Sequence, residues 1–330
     1  MKKIYKLFLA AAIALQFSSL FAVTAKYQTE NYTLTVNYND SLTPGDAIFV
    51  RLSLQQPKSH KKNKVEHEKH ASMQLYQGNK IIEKAVFYDV GKKKNQTSTE
   101  LLCGLPLSTW LKNDIYSLKI IFSFDEKELK EFTLPLTFKD RDFDNETLDL
   151  DESNTAIKTD NSPERMAQIE KLNNILFTTI PTDVFSTQNY ICPTTSTRYT
   201  AHFGDRRVYS YINGKSSTSV HFGNDYGIPE GSTVSACADG KVVMAENRIS
   251  TGWSIVIEHL PGLYSLYYHL SEMEVKEGDM VKQGQEIGKS GSTGLATGPH
   301  LHWEMRLNGE AVRPEFFISN FSFEAEAAEK

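Results

Sequence analysis

His300-Leu301-His302 places two imidazoles on alternate positions directly after a Gly-rich loop, and His221-x-x-x-Asp225 lies about eighty residues upstream. A β-strand sends residues i and i+2 to the same face, roughly 7 Å apart, so both imidazoles look into one pocket while only one has to touch a metal. His221 and Asp225 also share strand parity, but an ideal strand would hold them about 13 Å apart. The chain must bend for both to reach one ion, and Gly223 and Gly227 permit the bend. Two imidazoles and a carboxylate, from His221, Asp225 and His302, make a three-ligand set for tetrahedral Zn2+ that keeps one position open for water, as a catalytic site requires. His269, in Leu266-Tyr-Tyr-His269-Leu270, ends a separate strand. With His300 it is a candidate to take a proton from water and to stabilise charge at a scissile carbonyl, the two roles being left unordered within the pair.

The elements that carry these residues read as strands and turns. From Tyr190 onward, Trp253–His259 and Leu263–Leu270 are joined at Pro261-Gly262, Asn308-Gly309 closes a turn after Trp303–Leu307, and Asp239-Gly240 predicts a hairpin between Ser232–Ala238 and Lys241–Glu246. Residues 190–318 are therefore expected to form a compact antiparallel β domain holding the site. Upstream, Tyr32–Tyr38 alternates polar and apolar residues, Ala47–Leu54 follows a Pro-Gly-Asp turn, and Gly78-Asn79 joins Ser72–Gln77 to Lys80–Tyr88. Ile115–Phe124 and Glu131–Phe138 flank a charged turn at Asp125–Glu128. This spacing predicts an immunoglobulin-like β-sandwich over residues 26–140. The fold class is all-β with a short helix between the domains. Ser162-Pro163 is an N-cap followed by Pro at the first helical position, and Met166, Ile169, Leu172 and Leu176 share one face of a helix placed within residues 163–180.

Seven of the thirteen residues from Asp140 to Glu152 are acidic, so residues 141–162 read as an extended, mobile linker that buries too little apolar surface to offset its ordering entropy. Residues 319–330 read as an acidic tail. At the other end, three lysines precede an apolar run from Leu7 to Leu15 that is too short to span a bilayer, followed by small residues, which predicts an export signal over residues 1–25 cut after Ala22 or Ala25. The exported chain is then expected in the periplasm or cell envelope, with no transmembrane segment. Removing Lys2, Lys3 and Lys6 takes the net charge from -5 to -8, which argues against binding nucleic acid through its phosphates.

Competing motifs are weaker. Gly291-Ser-Thr-Gly294-Leu-Ala-Thr-Gly298 lacks the Gly-Lys-Ser/Thr ending and following helix of a phosphate loop, and neither Ser290 nor Ser292 completes G-x-S-x-G. His60, His67 and His70 sit among seven lysines and glutamates with no regular period, the pattern of a solvated loop. His202 and His259 read as structural. Cys103, Cys192 and Cys237 are too few for a disulfide framework or thiolate cage; one bridge, Cys192 with Cys237, is open after export, and buried thiols are the plainer reading.

With these residues in place, Phe203 to Phe317 resembles the lysostaphin/LytM-type zinc metallopeptidases, which hydrolyse peptide bonds of bacterial peptidoglycan. The matching segments are Phe203-Gly-Asp-Arg206, His221-Phe-Gly-Asn-Asp225, Pro229-Glu-Gly231, Ala238-Asp-Gly240, Tyr267-Tyr-His-Leu270, Gly284-Gln-Glu-Ile-Gly288, Gly291-Ser-Thr-Gly294 and Thr297-Gly-Pro-His-Leu-His302. The resemblance implies a barrel-sandwich fold, zinc on His221, Asp225 and His302, catalytic roles for His269 and His300, and peptidoglycan peptides as partners. It also implies an assisting tyrosine upstream of His221, for which Tyr209 and Tyr211 are candidates. Ser254 and Cys237 depart from the family pattern. The resemblance leaves the N-terminal domain uncovered; a partner in the envelope is the expectation there. Two rivals remain: a zinc-containing adaptor that binds wall material or another hydrolase without cleaving, and a biotinyl or lipoyl carrier suggested by Glu277–Gly288, which lacks the Met-Lys pair such a carrier modifies.

Overall fold

Alternation of polar and apolar residues governs the first part of the chain, and the computed structural model shows where it leads. It describes residues 4–6, 23–29, 32–55, 70–91, 98–123, 129–178, 183–319 and 321–323. The chain divides into two units, residues 1–140 with 323–330, and residues 141–322. In the first unit the strands are β1 (Ile4–Lys6), β2 (Val23–Gln28), β3 (Thr33–Tyr38), β4 (Ser41–Leu42), β5 (Ala47–Gln55) and β6 (His70–Gln77). They continue with β7 (Lys80–Val86), β8 (Tyr88–Asp89), β9 (Ser98–Pro106), β10 (Tyr116–Ser123), β11 (Leu129–Leu134) and β12 (Thr137–Phe138). Two five-stranded sheets, ordered β1-β11-β10-β6-β7 and β2-β3-β5-β9-β8, close on one core containing Leu34, Leu52, Met73, Leu75, Ile120 and Phe122. A period of two puts every second side chain of β3 and β6 inward, which is why these strands are legible in the sequence. β9 is not, because its run Leu101-Leu-Cys-Gly-Leu105 is buried on both faces and shows no alternation.

The export signal falls largely outside the described residues, but β2 begins at Val23 and pairs residue by residue with β3. A cut after Ala22 would leave that pairing whole, whereas a cut after Ala25 would remove its first half. The run from Lys58 to Lys69, the Asp125–Glu128 turn and the tail from Glu324 also lie outside the described residues. Before that point the tail is fixed: Phe321 packs on Phe316 and Phe317, and Phe323 is buried against Phe49. The acidic tail therefore begins later than residue 319.

The second unit opens with a correction. The segment read as a mobile linker contains β13 (Asn145–Asp149) and α1 (Glu152–Thr159), followed by α2 (Pro163–Leu176). Its acidic groups are used locally rather than left to repel one another. Glu146 pairs with Arg207, the Asp151 carboxylate accepts the amide of Asn154 as the N-cap of α1, and Asp160 accepts the amide of Ser162. Ser162 caps α2 through the Arg165 amide, as its sequence predicts. Leu172, Ile175 and Leu176 pack against Met244, Val256 and Tyr264, whereas Met166 is exposed.

The remaining strands are β14 (Tyr199–Ala201), β15 (Arg206–Ser210), β16 (Ser216–Val220), β17 (Gly223–Tyr226), β18 (Thr233–Ser235), β19 (Gly240–Arg248) and β20 (Gly252–Leu260). After them come β21 (Leu263–Met273), β22 (Met280–Val281), β23 (Glu286–Ser290), β24 (Leu301–Leu307), β25 (Glu310–Val312) and the short helix α3 (Pro314–Ile318). The main sheet runs β14-β17-β24-β21-β20-β19-β22, and a second sheet of three strands runs β13-β15-β16. Asn308 and Gly309 both have positive φ, the geometry that a two-residue hairpin turn demands. The hairpin expected at Asp239-Gly240 does not form. β18 pairs with β23, while Gly240 lies inside β19, where a Cβ would come within 2.5 Å of the Glu258 carbonyl oxygen. Close approach of backbones, not a turn, accounts for that glycine.

Candidate metal centre and catalytic site

Two antiparallel pairings assemble the site. Across β17 and β24, Asp225 is the direct partner of His302, and across β21 and β24, His302 is the partner of Tyr268. His221 comes from the two-residue break between β16 and β17, where the chain turns as the sequence requires. A Cβ on Gly223 would lie 2.9 Å from His302 Nε2 and 2.4 Å from the Trp303 carbonyl oxygen, so only glycine lets these strands approach closely. The Tyr268 ring stacks on the His302 ring, with centroids 5.4 Å apart and planes 5° from parallel.

Each histidine has one ring nitrogen tied to an oxygen and the other turned inward. His221 Nδ1 lies 2.8 Å from the His202 carbonyl oxygen, and His302 Nε2 lies 2.9 Å from Glu304 Oε1. His269 Nδ1 meets the Thr293 carbonyl oxygen at 2.7 Å, and His300 Nδ1 that of Gly298 at 2.8 Å. Since a carbonyl or carboxylate can only accept, each of these nitrogens donates its N–H; a neutral ring then presents a lone pair on the opposite nitrogen, which in His302 requires loss of the proton that Asp225 Oδ1 otherwise accepts. The lone pairs converge. His221 Nε2 and His302 Nδ1 are 3.1 Å apart, and they lie 3.1 and 2.6 Å from Asp225 Oδ1. His300 Nε2 is 3.8 Å from that same oxygen, and the rings of His269 and His300 are 4.7 Å apart. The other carboxylate oxygen, Asp225 Oδ2, accepts from Arg207 Nη2 at 3.0 Å, which fixes the carboxylate plane.

Electrostatics favour a cation at this point. Burial pulls the His302 imidazolium down, but Asp225 and Glu304 outweigh it and raise its pKa to about 9. Burial opposes ionisation of Asp225, yet His221 and His302 hold it well below the usual carboxylate range. Two buried carboxylates thus face the inward imidazoles. Tetrahedral zinc with bonds near 2.1 Å separates its ligand atoms by about 3.4 Å, so the three donor atoms fit it with shifts of under an ångström. His221, Asp225 and His302 are the set within the described residues that could hold a metal.

His269 stands apart in its backbone. Its φ is 60°, left-handed, inside a strand whose pairings to β20 and β23 both shift register nearby. The bulge turns its ring toward His300 instead of along the pleat. Burial, with His300 and His302 adding to it, lowers the His269 pKa to about 3 and keeps the imidazole neutral.

Residues 219–314 match the model of peptidase family M23. This stretch is an M23 peptidase domain. The chain is 39% identical over 122 residues to the DD-carboxypeptidase/endopeptidase Mpg of Neisseria meningitidis, covering 37% of this chain and 27% of that protein. It is also 39% identical over 115 residues to the peptidoglycan DD-endopeptidase ShyA of Vibrio cholerae, covering 35% and 26%. The chain thus spans about a quarter of the length of these curated relatives. A crystal structure assigned to peptidase M23 from Pseudomonas aeruginosa aligns over 85% of this chain and 96% of its own, with a TM-score of 0.52 at 19% identity, a likeness of fold.

Around the M23 site, all five residues singled out from sequence lie together. Three participants escaped that reading: Glu304, Arg207 and the carbonyl of His202. Glu304 was accessible in principle, since it shares strand parity with His302, while Arg207 carries no motif that announces a partner eighteen residues away. His202 contributes its backbone, and its ring stacks on Tyr199. His259 is buried elsewhere, with Nδ1 donating to the Asp239 carbonyl and Nε2 accepting from the Ser265 hydroxyl. Its pKa is lowered to about 4 by burial. The three cysteines are free thiols, so Cys192 and Cys237 form no bridge, and Cys237 is buried beside His259. Tyr209 lies on β15 with Arg207, and the Tyr211 hydroxyl meets that of Ser217.

Proposed function

We propose that this chain is an exported, zinc-dependent endopeptidase that hydrolyses amide bonds in the stem peptides or cross-links of peptidoglycan and acts in the cell envelope. The observation that carries this reading is the common orientation of the imidazoles, each held by an acceptor on its outer nitrogen so that the inner one is a lone pair. The names of the M23 relatives supply the substrate class.

In this mechanism His221 Nε2, His302 Nδ1 and Asp225 Oδ1 hold the metal, and Arg207 and Glu304 keep their ligands oriented. Zinc, when bound, supplies a Lewis acid and lowers the pKa of water. His269 and His300 stand side by side, and the ring that takes the proton of the attacking water on its free Nε2 would, as the imidazolium so formed, stabilise charge at the carbonyl oxygen and pass that same proton to the departing amine. The Thr293 and Gly298 carbonyls hold both rings in the tautomer with Nε2 free. An adaptor that only binds zinc has no use for this second pair.

Incubating the chain with purified peptidoglycan, with and without chelator, and identifying the released fragments by mass spectrometry tests metal dependence and bond choice together. Chelation should abolish release, and added zinc should restore it. Full hydrolysis by a metal-free preparation would overturn the assignment.

A further inference from the structure

We propose that Thr293 is a positioning residue for His269, its carbonyl holding the imidazole while its hydroxyl holds the backbone beneath; the inference rests on the peptidase reading above. Two bonds from this one residue meet the His269 segment at two points. The Thr293 carbonyl oxygen accepts the His269 Nδ1 proton at 2.7 Å, and the Thr293 hydroxyl donates to the Leu270 carbonyl oxygen, also at 2.7 Å. The same hydroxyl accepts the Trp253 amide at 3.0 Å. It therefore stands between β20 and β21, where Trp253 and Leu270 are partners and the ladder shifts register immediately beyond them.

The surrounding backbone is shaped around that hydroxyl. Gly252 has a φ of 61°, and a Cβ there would come within 2.0 Å of Thr293 Oγ1, so a side chain at this position would displace the hydroxyl. Gly294 packs closely too, since a Cβ on it would lie 2.4 Å from the Gly252 amide nitrogen. The Leu295 amide donates to the Ser250 carbonyl oxygen at 2.9 Å, and the His269 amide donates to the Thr251 carbonyl oxygen at 2.9 Å. Residues 250–253 are thus clasped by residues 293–295 on one side and by His269 on the other. The Thr293 side chain is the member of this clasp that bonds to both strands.

What the arrangement fixes is a tautomer and a direction. His269 sits on a left-handed residue at a bulge, where the regular pleat does not dictate the direction of the ring. Anchoring the His269 Nδ1 and the next carbonyl to one residue sets the ring against its own backbone. With its proton held on Nδ1, the neutral ring keeps a lone pair on Nε2 beside His300, whose ring is 4.7 Å away. Freed of that carbonyl, the ring can carry its proton on Nε2 and present an N–H in place of the base. A displacement of about 1 Å at such a group costs about a hundredfold in rate, so the hydroxyl bears on turnover without touching substrate.

Two variants test this in the zinc-loaded full chain: Thr293→Val, which keeps the shape and deletes the hydroxyl, and Thr293→Ser, which keeps the hydroxyl. The 15N shifts of the imidazoles, with His269 assigned through His269→Gln, report which ring nitrogen carries the proton. Zinc content is measured alongside, together with kcat and KM on cross-linked peptides from purified peptidoglycan. Thr293→Val should bind zinc as the parent does, lose the fixed Nδ1–H signal of His269, and lower kcat about a hundredfold with KM unchanged. Thr293→Ser should retain both the signal and the rate. Should Thr293→Val not fold, Thr293→Ala, which puts no methyl group between the amide and the carbonyl, takes its place. A His269 that keeps its Nδ1–H signal without the hydroxyl would overturn the proposal, as would parental kcat in a variant that has lost the signal or an equal loss in Thr293→Ser. A tautomer that changes with the hydroxyl while no form hydrolyses peptide would leave the positioning role standing and remove the peptidase reading instead.

Discussion

The two units bury different things. The first hides an apolar core whose main buried ionic group is the pair Arg51–Glu100, whereas the M23 unit hides His221, Asn224, Asp225, His259, His269, His302 and Glu304 within its sheets. Burying a polar group costs free energy unless it is hydrogen-bonded, and a structure that carries so many needs an acceptor or donor for each. The first unit shows what a β fold requires for stability alone. The second shows what is added when chemistry is placed inside it.

That contrast breaks most sharply at His300. His300→Ala should keep the bound metal, measured by elemental analysis, and lose peptide hydrolysis by about a thousandfold, the usual weight of a positioned acid or base. In the first unit a truncation of equal size should do the reverse: Ile120→Ala, fully buried, should cost about 3 kcal/mol in urea unfolding and leave metal binding unchanged. His259 sharpens the comparison inside the M23 unit, because it is buried and histidine yet lies outside the metal centre. Its folded pKa of about 4 lies below the ordinary 6.5, so the unfolded chain binds a proton that the folded chain refuses. Stability is therefore whole above pH 6.5 and falls by about 3 kcal/mol as the pH drops toward 4. His259→Asn should flatten that part of the stability profile while the wild-type slope persists. The smallest effect belongs to Glu304→Gln, which should weaken metal affinity by about ten- to a hundredfold by loosening the His302 ring. An affinity equal to wild type would show that Tyr268 stacking alone holds that ring.

Reading the sequence located the candidate metal set, His221, Asp225 and His302, because such types are rare in cores and stand near glycines. It located strands where one face meets solvent, as in β3 and β6, and it located the β20–β21 hairpin, buried on both faces, through its Pro261-Gly262 turn. It missed β9, whose two faces are both buried, and it misread Asp239-Gly240, where the glycine serves backbone proximity. The larger error was residues 141–162. Counting acidic residues predicted too little apolar burial to order the segment, but Glu146 finds Arg207 sixty-one positions later, and Asp151 and Asp160 cap the turns that follow them. Composition measures charge, not pairing, and pairing across such separations has no local signature. Nor does the bulge at His269, which arises from register shifts against two partner strands.

The left-handed backbone of His269 links activity to tolerance of change. A non-glycine residue there carries about 1 kcal/mol of steric cost, which glycine escapes and asparagine bears lightly. Glycine there would also empty the space of a buried ring and leave the Thr293 carbonyl oxygen without its donor, so hydrolysis is lost with no gain in melting temperature. Strain and anchorage thus offset one another at this position, where the imidazole sits on a backbone that its own hydrogen bond helps to hold.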